Sequence, residues 1–253
     1  YPSWSVNLDK KELLDNLDED IFIFSGIANE TIYHCSEIKD YFESDQIYKS
    51  DRYGFNNPDF VYNEEIDIVL VGDSFVHSSC VSQDKGYAGN LRNLFDKKGI
   101  VSIGWRGAGP FKELGMLTEY ALKLKPKYIL WVYFEGNDYI EIVREQKYEI
   151  LKNYLNESFS QNLIERQNEI KDISIKITNK NLKEHFKLNW HDKNVLLSYL
   201  THRIKLWNLR WNFFYRKSHT PNKNEFQFKK FREIMSVAKL KAEKNGSELI
   251  FVY

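Results

Sequence analysis

Residues Ile66–Phe75 read I-D-I-V-L-V-G-D-S-F, and the fold follows from this stretch. Five of the first six residues are Ile, Val or Leu, without the alternation of a half-exposed strand. A β-branched run bounded by acidic residues and a glycine is the signature of a strand buried on both faces. Gly72 ends the run, and Asp73-Ser74 opens a turn beyond it.

Working outward, the same punctuation recurs. Gly86–Lys98 carries a helical pattern. Ile100–Ile103 is a second short apolar run, closed by the glycine-rich Gly104-Trp105-Arg106-Gly107-Ala108-Gly109. Pro110–Leu124 predicts a helix with proline at its first position. Lys127–Phe134 (KYILWVYF) predicts a third buried strand, ending in Glu135-Gly136-Asn137-Asp138. Lys229–Lys244 predicts a helix and Glu248–Tyr253 (ELIFVY) a fourth buried strand. This β-α-β alternation implies an α/β fold: three layers, α/β/α, around a parallel sheet. A core at 64–253 would carry a helical insertion at roughly 140–230.

The flanks are less regular. Residues 1–63 read as an N-terminal extension packed on that core. It contains a short helical pattern at Asn7–Leu17, strand-like runs at Ile21–Phe24 and Thr31–His34, and a turn-rich covering loop at Tyr48–Phe60. Leu196–Tyr215 is aromatic and basic, with Arg203, Lys205 and Arg210 beside Trp207 and Trp211. Its apolar residues are too widely spread for one narrow membrane-surface stripe. A cap on the core or a protein interface is the preferred reading.

Composition narrows the function. The 253 residues hold 36 Lys and Arg against 36 Asp and Glu, so no net field favours nucleic acid. No run of eighteen apolar residues occurs, so nothing here spans a bilayer as a helix. The two cysteines, Cys35 and Cys80, lack metal-site spacing and read either as free thiols or as one disulfide. His34, His185, His191, His202 and His219 show no metal spacing either. Neither a metal nor an organic cofactor is expected. The glycines after the second strand do not follow G-x-G-x-x-G, and no G-K-[ST] is present, which argues against nucleotide binding.

A parallel sheet brings its strand tips to one edge. Ser74 would supply a hydroxyl there, next to the positive end of the following helix. Gly107, or Gly104 in its place, would supply a backbone N–H, and Asn137 a side-chain amide. A nucleophile with preorganised donors suits acyl transfer through a tetrahedral oxyanion. Asp73 reads as a brace for the turn, with a minor alternative as base. His77 reads as packing at the site mouth, with an alternative as substitute base. Glu135 and Asp138 could be read as paired carboxylates for glycoside cleavage, a weaker alternative.

G-D-S-F after the first strand, a glycine after the second and G-N-D after the third resemble the first three blocks of the SGNH (GDSL-like) hydrolase superfamily, over roughly residues 64–140. SDRYGFNNPD and ELGMLTEYALKLKPKYILWVYFEGND further resemble a bacterial subgroup linked to cell-surface polysaccharides. The resemblance implies a flavodoxin-like fold, Ser74 as nucleophile, and Ser74 N–H, Gly107 and Asn137 as the oxyanion hole. It implies a serine esterase or O-acyltransferase acting on acyl, foremost acetyl, esters of a carbohydrate, without cofactor. It implies an extracytoplasmic location, with any membrane anchor outside these residues. The family's fourth block, Asp-x-x-His, is missing after Asn137; His191-Asp192 is adjacent and reversed. Because the chain opens on Tyr1 and stops after a core strand, the expectation is a piece of a longer protein whose base lies beyond Tyr253. The competing reading is a non-catalytic polysaccharide-binding or assembly protein on the same scaffold.

Overall fold

The computed structural model describes residues 3–4, 21–34, 46–79, 81–96, 99–191 and 225–253. Two sheets organise them. The smaller has three strands in the order β1-β2-β3: β1 (Ser3–Trp4), β2 (Thr31–His34) and β3 (Gln46–Lys49), with β1 parallel and β3 antiparallel to β2. The larger has four parallel strands: β4 (Ile68–Gly72), β5 (Ile100–Gly104), β6 (Tyr128–Val132) and β7 (Glu248–Val252), in the order β5-β4-β6-β7.

The runs of β4 and β5 become strands because each can hide both faces; β7, expected to be buried, lies instead at the edge of the sheet with Ile250, Phe251 and Val252 exposed. On β4, Val69 and Val71 point into the main core, while Ile68 and Leu70 point to a second cluster. On that second side lies α1 (Tyr87–Phe95), which places Ala88 against Leu70 and Ile100. The main core lies on the other side. There α2 (Pro110–Met116), α5 (Gln167–His191) and α6 (Glu225–Lys244) pack around a fully buried Trp131. α3 (Asp138–Glu145) and α4 (Glu149–Asn153) complete this side.

Several boundaries differ from the sequence reading. α2 ends at Met116, and a π turn (Leu117–Ala121) and a 3-10 turn (Leu122–Leu124) finish the predicted helix. α1 is shorter than predicted at both ends, and α6 starts four residues before the predicted Lys229. Ile21–Phe24 is buried but is not a strand. Its backbone pairs with a side chain instead: Phe22 N donates to Gln161 Oε1 (2.7 Å), and Gln161 Nε2 donates to Phe22 O (3.2 Å). The Tyr48–Phe60 segment is more than a covering loop. Its hub is the buried Asp51 carboxylate, which accepts from Tyr53 N, Phe55 N, Asn57 Nδ2 and Tyr62 Oη. Asn57 then pairs through its amide with both backbone groups of Ser102 on β5.

The readings at Asn7–Leu17 and Leu196–Tyr215, and the pairing of Cys35 with Cys80, lie outside the described residues. Among the described residues, no helix is long and apolar enough to cross a membrane.

Candidate active site

The chain runs from β4 outward to β5, then returns across β4 to β6. The strand order therefore reverses at β4, and the crevice of a parallel sheet opens beyond the carboxyl ends at such a point. Ser74 sits two residues past the end of β4, between the tips of β5 and β6.

The expectation of a helix directly after Ser74 is not met. His77 N donates to Asp73 O (2.9 Å) and Ser79 N to Ser74 O (3.0 Å), making one irregular turn. Ser78 then turns left-handed (φ 57°), and α1 begins only at Tyr87. Turn amides, rather than a helix terminus, surround the serine. The Ser74 side chain is partly exposed.

Asp73 ties this turn to the third strand tip. Its Oδ1 accepts from Phe75 N (2.9 Å), and its Oδ2 accepts from Asn137 Nδ2 (3.2 Å). Burial pushes the Asp73 carboxyl up, while the N–H of Phe75, the Asn137 amide and the Ser74 N–H favour its anion. Asn137 precedes α3, and its Oδ1 is buried without a hydrogen-bond partner. The amide is oriented by Asp73 alone among the described residues.

The second tip is held as closely. Trp105 N donates to Gly72 O (3.2 Å). A Cβ on Gly104 would lie 2.4 Å from His77 N, so only glycine lets the Ser74 turn cross β5 there. Gly104 is thus filled on its outer side by the Val76–His77 backbone. Gly107, three residues on, adopts φ 67°, and its carbonyl accepts from Lys112 Nζ (3.0 Å).

His77 is 2% exposed and does not sit at a mouth. Its Nε2 bonds Tyr48 Oη (3.1 Å), its Nδ1 bonds Ser79 Oγ (3.0 Å), and Trp105 packs edge-on at 5.2 Å. Both ring nitrogens are engaged, which leaves neither for Ser74. The paired-carboxylate alternative also fails on geometry. Asp138 is fully buried and accepts from Phe134 N (2.7 Å), whereas Glu135 is exposed and accepts from Tyr253 Oη (2.6 Å).

Beneath the tips Asp138 joins two buried carboxyls, Glu113 and Glu145, that no motif in the sequence points to. Glu113 is fully buried, and neither carboxylate oxygen has a hydrogen-bond partner among the described residues. Burial, then the nearby Asp138, Glu145 and Asp73, hold its carboxyl well above the ordinary range. Asp138 is pushed up to about 8 by burial first, against the Phe134 N–H it accepts from, and further by Asp73, Glu145 and Glu141. Glu145 is pushed up to about 7 by burial, opposed by Lys112 and by the N–H groups it accepts from. Among the described residues, no group of His, Cys, Asp and Glu has the geometry to hold a metal.

One concavity adjoins the third tip, and another lies along β3 and α1. The first, of about 280 Å³, is aromatic, lined by Tyr133, Tyr139, Phe228, Phe231 and Tyr253 with Glu135 at its edge. The other, about 650 Å³, lies beside Tyr48, between Phe60, Gln83 and Arg92. Compared with known proteins, the chain matches no family model, and no curated protein matches it.

Proposed function

We propose that the protein is an SGNH-type serine esterase or O-acyltransferase with a three-layer α/β/α core, acting on acyl esters of a carbohydrate. Ser74 Oγ attacks the acyl carbon as a general base takes its proton, and the tetrahedral intermediate collapses by breaking the ester C–O bond, the sugar oxygen leaving as the alcohol with that proton. The oxyanion is received by the Ser74 N–H, the Gly107 N–H and the Asn137 amide. The acyl-enzyme is then resolved by water in an esterase, or by a sugar hydroxyl in a transferase. The observation that carries this reading is the Asn137–Asp73 hydrogen bond, which fixes an amide donor against the residue preceding Ser74. The aromatic concavity by Glu135 suits the stacking of a sugar ring. An extracytoplasmic setting accords with a cell-surface glycan substrate.

A base must come within hydrogen-bond reach of Ser74 Oγ. The engagement of His77 by Tyr48 and Ser79 gives the second reading its support: a scaffold that binds polysaccharide without turning it over. Fluorophosphonate labelling of the full-length protein separates the two. The catalytic reading expects covalent labelling that Ser74→Ala abolishes. Equal labelling of wild type and Ser74→Ala, or none in either, leaves only the binding role. Mass spectrometry with a glycan acceptor then divides hydrolysis from acyl transfer.

A further inference from the structure

We propose that Lys112 and Glu145 are positioning residues for the Gly107 turn, holding the Gly107 carbonyl in place so that the N–H of the same residue, on the preceding peptide, can serve Ser74. The inference rests on the acyl-transfer reading above, and concerns two residues with no place in the motifs that suggested it.

The turn needs an external support. Gly107 is in the left-handed region, and a glycine samples several backbone conformations at similar energy. The hydrogen bond from Ala108 N to Trp105 O (3.1 Å) closes the turn but leaves the Gly107 carbonyl to find its own partner. The N-cap position of α2 is Gly109, which has no side chain to receive the first N–H groups of that helix. Glu145, at the end of α3, fills the second of these gaps. Its Oε1 accepts from Gly109 N (2.7 Å); its Oε2 accepts from Phe111 N (2.9 Å) and Lys112 N (3.3 Å). Lys112 then turns its ammonium back, donating to Gly107 O at 3.0 Å and facing Glu145 Oε1 at 3.9 Å. Both side chains are buried.

A capping role needs only the carboxylate. The ammonium adds a grip on one particular carbonyl, that of Gly107, and a positive charge one peptide away from the candidate oxyanion donor. Fixed charge and fixed dipoles at such a place favour the charge that develops in the transition state. Burying a lysine for this purpose is costly unless it is paired, and Glu145 is its pair.

The test uses the full-length protein and the rate of fluorophosphonate labelling as a function of probe concentration, which separates probe binding from the bond-forming step. In Lys112→Met the bond-forming rate is expected to fall about tenfold, less than the loss on deleting an oxyanion donor outright. Probe binding should stay within about twofold, and Lys112→Arg should recover most of the rate, because the guanidinium can still donate to Gly107 O. Hydrogen exchange should quicken at 107–112 and stay unchanged at 128–132. Should either single variant fail to fold, the neutral double variant Lys112→Met/Glu145→Gln leaves no uncompensated charge and is expected to show the same slow bond formation. Folded Lys112→Met or double variants that label at the wild-type rate would overturn the positioning role while leaving the nucleophile intact. A wild type without Ser74-dependent labelling would instead remove the acyl-transfer reading, and this role with it.

Discussion

At the scale of single residues, the candidate site depends on which way one amide faces. Asp73 Oδ2 accepts from Asn137, so the carboxamide presents nitrogen, not oxygen, along that side. Replacing Asp73 by Asn sets two donors face to face and favours a flipped Asn137, while Phe75 N keeps an acceptor. We expect Asp73→Asn to lower the Ser74 labelling rate by roughly a hundredfold, comparable to Asn137→Ala and to the loss of one oxyanion donor, with little change in thermal midpoint. The double variant Asp73→Asn/Asn137→Asp restores the hydrogen bond with its polarity reversed, yet places a carboxylate beside the oxyanion; it should fold well and label no faster. Recovery of labelling in that double variant would show that Asn137 is only a brace. Ser74, Asn137 and the glycines could be found in the sequence because each follows directly on a buried strand. Glu145 and Lys112 could not, since they are far apart along the chain and each fits an ordinary helical pattern.

At the scale of elements, two side-chain amides do the work of strands. Gln161 pairs with both backbone groups of Phe22, and Asn57 with both of Ser102. The second pairing blocks the outer edge of β5, where an open strand would expose unpaired groups. This explains why Ile21–Phe24 reads as a strand without being one: its burial and backbone satisfaction are strand-like, but the partner lies 139 positions away and is one side chain. No local pattern encodes that. Gln161→Ala leaves a buried N–H and C=O unsatisfied, at a cost of about 1–3 kcal/mol for each such group. Denaturant unfolding should therefore show a loss of roughly 2–6 kcal/mol, against under about 0.5 kcal/mol for an exposed surface change. Gln161→Glu, whose protonated carboxyl keeps the acceptor but offers one O–H in place of two N–H donors, should lie between them when measured at acid pH.

At the scale of the whole molecule, buried carboxylates make stability depend on pH in an unusual direction. Asp51 is raised to about 6, Glu145 to about 7 and Asp138 to about 8, in each case chiefly by burial. In the unfolded chain these groups ionise near pH 4. Between pH 4 and 8 the folded protein therefore holds protons that the unfolded chain has released. Linkage makes its stability fall as pH rises through that window. The lowered carboxyls of Asp59 and Glu169 act the other way, but only near and below their ordinary range. Thermal midpoints should decline from pH 6 to pH 8.5, and Asp138→Asn should flatten the slope; a midpoint that climbs over this interval would refute the assignment. The four parallel strands were evident as apolar runs closed by glycine or acidic residues. The smaller sheet was visible only through β2, because β1 has two residues and β3, although as long as β2, runs into the turn-rich stretch from Tyr48 that reads as a loop. One consequence concerns time rather than energy. β4, β5 and β6 adjoin within a short length of chain, whereas β7 joins β6 only after more than a hundred intervening residues. Loop closure over that distance is slow compared with the nearby crossovers. Pulse-labelled hydrogen exchange during refolding should find β4 and β5 protected before β7. The Ser74 turn is then framed early by its two neighbouring tips, and the aromatic concavity that needs Phe251 and Tyr253 forms late in folding.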